Sequence, residues 1–207
     1  MKVFVLIASK LIPLSLAVLF FLLGVSVGHA YTLWGPKWPN ANPRYVFDDS
    51  FKNQNAGWHN TGEAAVNNWN NIGDTPFRFT AVGGEGENHI GAGFLISGCA
   101  NLAETSRIAP FGNFTNFTVV VNVQCDFPFY DGTQAPQIPS NYYSLRTLVL
   151  HELGHGMGLC HTLKPKPVMG FVPVGSIKLL AKDDKQGNRK IYNPNYGGIG
   201  PEGDCIP

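Results

Sequence analysis

The sequence predicts a mixed helix-and-sheet domain, α+β or α/β in class. Three observations predict it. Apolar or small residues at 58, 62, 65, 69 and 72 make one face of a helix, and short strand-like segments follow. A second helix starts near Ser144 and runs into HELGHGMGLCH, residues 151–161. A loop-rich stretch then separates that helix from a last one opening at Asp183-Asp184.

The N-terminus is read apart from the fold. Lys2 and Lys10 flank or precede an apolar run over residues 11–28, and Gly28-His29-Ala30 has the form of a small-x-small cleavage site. Residues 1–30 are therefore expected to be a secretory signal peptide, with an uncleaved anchor as the rival, and either reading places the rest outside the cytoplasm. Residues 31–207 are then expected to form one domain, large enough for a real core. Without Lys2 and Lys10 it has 13 basic and 14 acidic residues, a net charge of −1. No basic patch or charge block occurs, which argues against nucleic acid as a partner. A monomer with no stable membrane association after cleavage is expected.

The elements follow in order. Residues 31–43 (YTLWGPKWPNANP) form an irregular lead-in. Residues 44–47 are a short strand. The first helix, 58–72, is ended by Gly73-Asp74-Thr75-Pro76. Residues 77–80 alternate and read as a strand. A glycine-rich segment, 83–98, holds a further strand at 90–96, with a weaker one at 102–108. Residues 118–123, dense in β-branched side chains, make a strong strand. Residues 126–139 are a Pro/Gly loop. Ser144 is the N-cap of the second helix, which carries Leu145 through Met157. In the final helix, Asp183 and Asp184 lie where the helix dipole favours negative charge.

The chemistry concentrates in residues 151–161. His151 and His155 are one helical turn apart on one face, so two imidazoles can share one tetrahedral ion. Glu152 is offset by about 100° around the helix, where its carboxylate reaches a bound water instead of the metal. A third ligand requires the helix to end. Gly158 tolerates the left-handed conformation that reverses the chain and returns His161 to the metal. Three protein ligands leave a fourth position open, which marks a catalytic zinc site.

The four cysteines, Cys99, Cys125, Cys160 and Cys205, all lie in the exported part. In an oxidising compartment they form two disulfides with three possible pairings. Chain order favours Cys99–Cys125 and Cys160–Cys205, and no zinc-ribbon spacing is present. The side chain of Cys160 is expected to point away from the metal, making it a scaffold residue.

With these residues in place, the sequence resembles the metzincin metallopeptidases, whose pattern is HExxHxxGxxH followed by a methionine turn. His151, Glu152, His155, Gly158 and His161 match every fixed position. Met169, in Pro167-Val-Met-Gly170, looks like the Met-turn, an apolar base beneath the zinc. Within that group the chain resembles the matrixins. The resemblance includes residues 143–150 (YSLRTLVL), Asp183-Asp184 with Gly187 and Ile191-Tyr192, and the segments 65–69 and 76–79. Phe171, two residues past Met169, stands where astacin-like and serralysin-like relatives carry a ligating tyrosine. The resemblance implies an α+β catalytic domain: a twisted mixed sheet packed with an upstream helix and the active-site helix, then a loop-rich C-terminal subdomain ending in a helix.

It also implies one catalytic zinc ion, with Glu152 as general base, and protein or peptide substrates. The substrate would lie along the exposed edge of residues 102–108. Phe171, Val172, Pro173 and Val174 would line an apolar pocket for the side chain after the cut. Calcium is common in the family, and Asp74, Asp126 and Asp131 are candidate ligands that no spacing singles out. There are departures: no cysteine-switch motif, since residues 31–43 contain no cysteine, and no histidine- and aspartate-rich loop for a second zinc. The expected function is that of a secreted zinc endopeptidase. The alternative is a non-catalytic, zinc-stabilised protein-binding module. Asn113-Phe-Thr and Asn116-Phe-Thr are glycosylation sequons in a glycosylating host.

Overall fold

The computed structural model describes residues 33–83, 88–132, 138–170 and 174–196. Strand β1 (Arg44–Phe47) leads through a one-turn helix α1 (Asp49–Lys52) into helix α2 (Ala56–Asn70). Strands β2 (Thr80–Ala81), β3 (Asn88–Gly93), β4 (Ala103–Ile108) and β5 (Asn116–Asn122) follow. After a short pair, β6 (Phe129–Tyr130) and β7 (Tyr143–Ser144), come helix α3 (Leu145–Met157) and helix α4 (Lys182–Tyr192). The five-stranded sheet has the order β2-β1-β3-β5-β4. Its first three pairings are parallel, and β4 runs antiparallel to β5 at the edge. This is the mixed sheet with helices that the sequence predicts.

Helix α2 starts where Asn55 caps it, its side-chain oxygen accepting the N–H groups of Gly57 and Trp58 at 2.7 and 3.1 Å. The predicted face is the buried one: Trp58, Gly62, Ala65 and Trp69 on the helix and Ile72 just past its end, with Thr61 and Val66 buried beside them. Trp69 donates its indole N–H to the Leu150 carbonyl at 2.8 Å, which ties α2 to α3. Nearly every residue of α3 is buried, so this helix is the centre of the molecule. On β5, Phe117, Val119 and Val121 alternate into the core.

Two strand expectations are corrected. Segment 77–80 contributes only its last residue to a strand. Asn70 satisfies both backbone groups of Phe79, accepting its N–H at 2.7 Å and donating to its carbonyl at 2.8 Å, while Arg78 N–H donates to Ala41 O. Phe77 and Phe79 are thus buried without a sheet ladder. The strand expected at 90–96 ends at Gly93; Leu95 turns inward and Phe94 and Ile96 face outward. The loop expected at 126–139 holds β6.

The irregular lead-in is part of the packing. Trp38 donates its indole N–H to Gly156 O at 2.9 Å, Trp34 N–H donates to Gly158 O, and both rings lie against Phe114. Cys99 and Cys125 form a disulfide between the segments following β3 and β5. Cys160 is also disulfide-bonded and buried; its expected partner, Cys205, lies outside the described residues. So does the N-terminal apolar run. No helix among the described residues is long and apolar enough to cross a membrane.

Candidate active site

Ser144 caps α3, its hydroxyl accepting Thr147 N–H at 3.1 Å. The helix ends at Gly158, whose φ of 110° is left-handed; its N–H closes onto Gly154 O and His155 O. A β-carbon there would be strained by that φ and would meet Pro36 O at 3.0 Å. The chain reverses at this point and brings His161 back over the helix.

The three Nε2 atoms of His151, His155 and His161 lie 3.1 Å from one another. Nδ1 of His151 lies 2.8 Å from Val168 O, and Nδ1 of His155 lies 2.8 Å from Leu159 O. A carbonyl can only accept, so both Nδ1 atoms carry the hydrogen and both Nε2 atoms present lone pairs. Facing lone pairs at this distance repel unless a cation sits between them. A tetrahedral zinc at about 2.0–2.1 Å spaces its ligands roughly 3.3–3.4 Å apart, within a few tenths of an ångström of the triangle seen. Burial holds His151 below the usual histidine range and His155 well below it, which keeps both rings neutral and able to bind metal. Among the described residues no other three metal-binding side chains converge in this way.

Glu152 is buried beside the triad. Its Oε2 accepts the Thr105 hydroxyl at 2.6 Å. Burial pushes its carboxyl up to about 7, against the Thr105 hydrogen bond and the charges of His161 and Arg107, which pull it down. Arg107 donates to His155 O at 3.0 Å and lies 4.2 Å over the Trp34 ring. A cleft of about 700 Å³ runs along the exposed edge of β4, with His151, Glu152, His155 and His161 in its wall and Leu95, Leu102 and Leu148 among its apolar lining.

Met169 is buried against α3, its sulfur 2.2 Å from where a β-carbon on Gly154 would stand, with the Trp69 ring 3.2 Å from the same point. Gly154→Ala is therefore expected to cost about 1–3 kcal/mol by overpacking, read as a lower midpoint in urea unfolding. The Met169 turn is held by Asp184, whose carboxylate accepts the N–H groups of Val168 at 2.9 Å, Met169 at 3.2 Å and Ala181 at 2.8 Å.

The sequence places His151, Glu152, His155 and His161 together, and the structure brings these four to one wall. Of the expected pocket, Phe171, Val172 and Pro173 lie outside the described residues. Val174 bridges Tyr143, is half-exposed, and is not among the described residues lining the cleft. Among the described residues the calcium candidates Asp74, Asp126 and Asp131 do not converge on one point. Asp74 faces Arg189, and Asp131 lies against the start of α2. Sequence reading missed Thr105, Arg107 and Gly154, and it noted Asp184 only as a helix-opening residue and part of the family resemblance, not as the acceptor that holds the Met169 turn. Of the three missed, only Gly154 left a signal, as the small residue between the two helical histidines.

Sheet, central helix and histidine triad together make a mixed helix-and-sheet domain whose cleft carries a candidate metal centre. The matrixin family model matches residues 37–193, and the chain belongs to the matrixin family. A stretch of 67 residues is 33% identical to interstitial collagenase of Sus scrofa; it covers 31% of this chain and 14% of that relative.

Proposed function

We propose that the chain is a secreted zinc-dependent endopeptidase in which His151, His155 and His161 hold one zinc ion and Glu152 is the general base. The observation that carries this reading is the triangle of Nε2 atoms 3.1 Å on a side, set in the wall of an open cleft beside a buried carboxylate. When bound, zinc supplies a Lewis acid that lowers the pKa of water and polarises a carbonyl. The chain's own residues do the rest. Val168 O and Leu159 O fix the ring orientations of His151 and His155. Glu152 takes the proton of the attacking water and delivers it to the leaving amine. The outer edge of β4 offers unpaired backbone groups to an extended peptide. The apolar lining of the cleft, which includes Leu95, Leu102 and Leu148, suits an apolar side chain. Met169 supports the triad from beneath.

The purified protein is expected to hydrolyse casein, to lose that activity with a chelator, and to regain it with stoichiometric zinc. Zinc-loaded protein that leaves casein and peptide libraries intact would instead favour a zinc-stabilised binding module.

A further inference from the structure

The Glu152 carboxylate is held by a residue of the edge strand. Thr105 sits in the middle of β4, its backbone fixed by pairing with Val119 in a ladder that runs the length of the strand. Strand alternation puts its side chain on the same face as Arg107, and both reach α3, Thr105 at Glu152 and Arg107 at His155. Thr105 Oγ1 is 2.6 Å from Glu152 Oε2 and 3.1 Å from the Glu152 main-chain oxygen. The hydroxyl has one proton, and the carboxylate oxygen is both nearer and the stronger acceptor.

We propose that Thr105 is a positioning residue for hydrolysis: its hydroxyl holds the Glu152 carboxylate by Oε2 and leaves Oε1 to carry the proton. This rests on the reading of Glu152 as general base. The physical case has three parts. A glutamate has three rotatable side-chain bonds, and a base that wanders among rotamers spends little time in line with the attacking water. A threonine on a strand is stiff at χ1, so the donor is already in place. The bond also survives the reaction. Thr105 keeps its proton throughout, and Oε2 remains an acceptor whether Oε1 carries a proton or not. The same strand that pairs with the substrate thus sets the base, so docking and base alignment share one rigid element.

The test is steady-state kinetics on a quenched peptide built on the best-cleaved bond in casein, with zinc content and Tm measured for every variant. Thr105→Val removes the hydroxyl at nearly constant shape. It is expected to lower kcat about tenfold, because the unheld carboxylate spends less time in line with the attacking water, with KM and zinc content unchanged and Tm lowered by a few degrees for the buried acceptor left without its donor. Thr105→Ser keeps the hydroxyl and is expected to recover most of the rate. In a Glu152→Ala background, Thr105→Val is expected to cost nothing further, because there is no carboxylate left to hold. Four results would each overturn the proposal: full kcat in Thr105→Val, a raised KM with kcat intact, an equal loss in Thr105→Ser, or additive losses in the double variant. Failure of the underlying reading shows itself separately, as full activity in Glu152→Ala alone.

Discussion

Glu152→Ala is expected to lower kcat roughly a thousandfold, the scale of a lost general acid–base, with zinc content and Tm close to wild type. The expectation follows from where the carboxylate sits. It is buried beside the triad, and its Oε2 accepts the Thr105 hydroxyl. Removing it takes away the proton acceptor and leaves the nitrogens of His151, His155 and His161 as they are. Zinc bound at one equivalent with no hydrolysis would separate proton transfer from metal binding. Retention of full activity would overturn the mechanism, and loss of zinc along with activity would make Glu152 part of the metal site.

Asp184→Ala is expected to cost about 3–5 kcal/mol, the range for removing one partner from a buried charged network, and to lower Tm by roughly 10 °C for a domain of this size. One carboxylate accepts three backbone N–H groups, those of Val168, Met169 and Ala181, and is almost completely buried. Burial pushes its carboxyl above the usual range, while the three hydrogen bonds pull it down. Alanine would leave all three donors without an acceptor. The effect should also reach the metal, because the Val168 residue whose N–H is bound by Asp184 offers its carbonyl to His151 Nδ1. Zinc affinity, measured by competition with a chelating dye, is therefore expected to fall along with stability. A stable Asp184→Ala protein with unchanged zinc affinity would show that the Met169 turn holds itself.

Most of the chemistry was legible in the chain because it is local. Two histidines one helical turn apart, a carboxylate offset around the helix and a glycine at the helix end are fixed by α-helical geometry. The structure shows the helix, its Ser144 cap and its left-handed Gly158 where the residues indicate them. The buried face of α2 was equally legible, since its period is that of the helix. Strand boundaries were less so. At residues 77–80 the alternation is real, but Asn70 takes the backbone groups of Phe79, and no period in the sequence reports a side chain from another element.

By itself the sequence determined the spacing of the histidines, the carboxylate beside the first of them and the turn that returns His161, all of which lie within a few turns of one chain segment, and it carried the matrixin resemblance along its length. Tertiary structure alone decided what makes those residues a site. It brought Thr105 of β4 onto Glu152, Val168 O onto His151, Asp184 under the Met169 turn, and Trp34 and Trp38 across the end of α3. The reason is the reach of each interaction. A helix repeats every 3.6 residues and writes its contacts into local spacing. Contacts between elements are fixed by packing and by the need to satisfy buried polar groups, and these join residues that are distant in the chain.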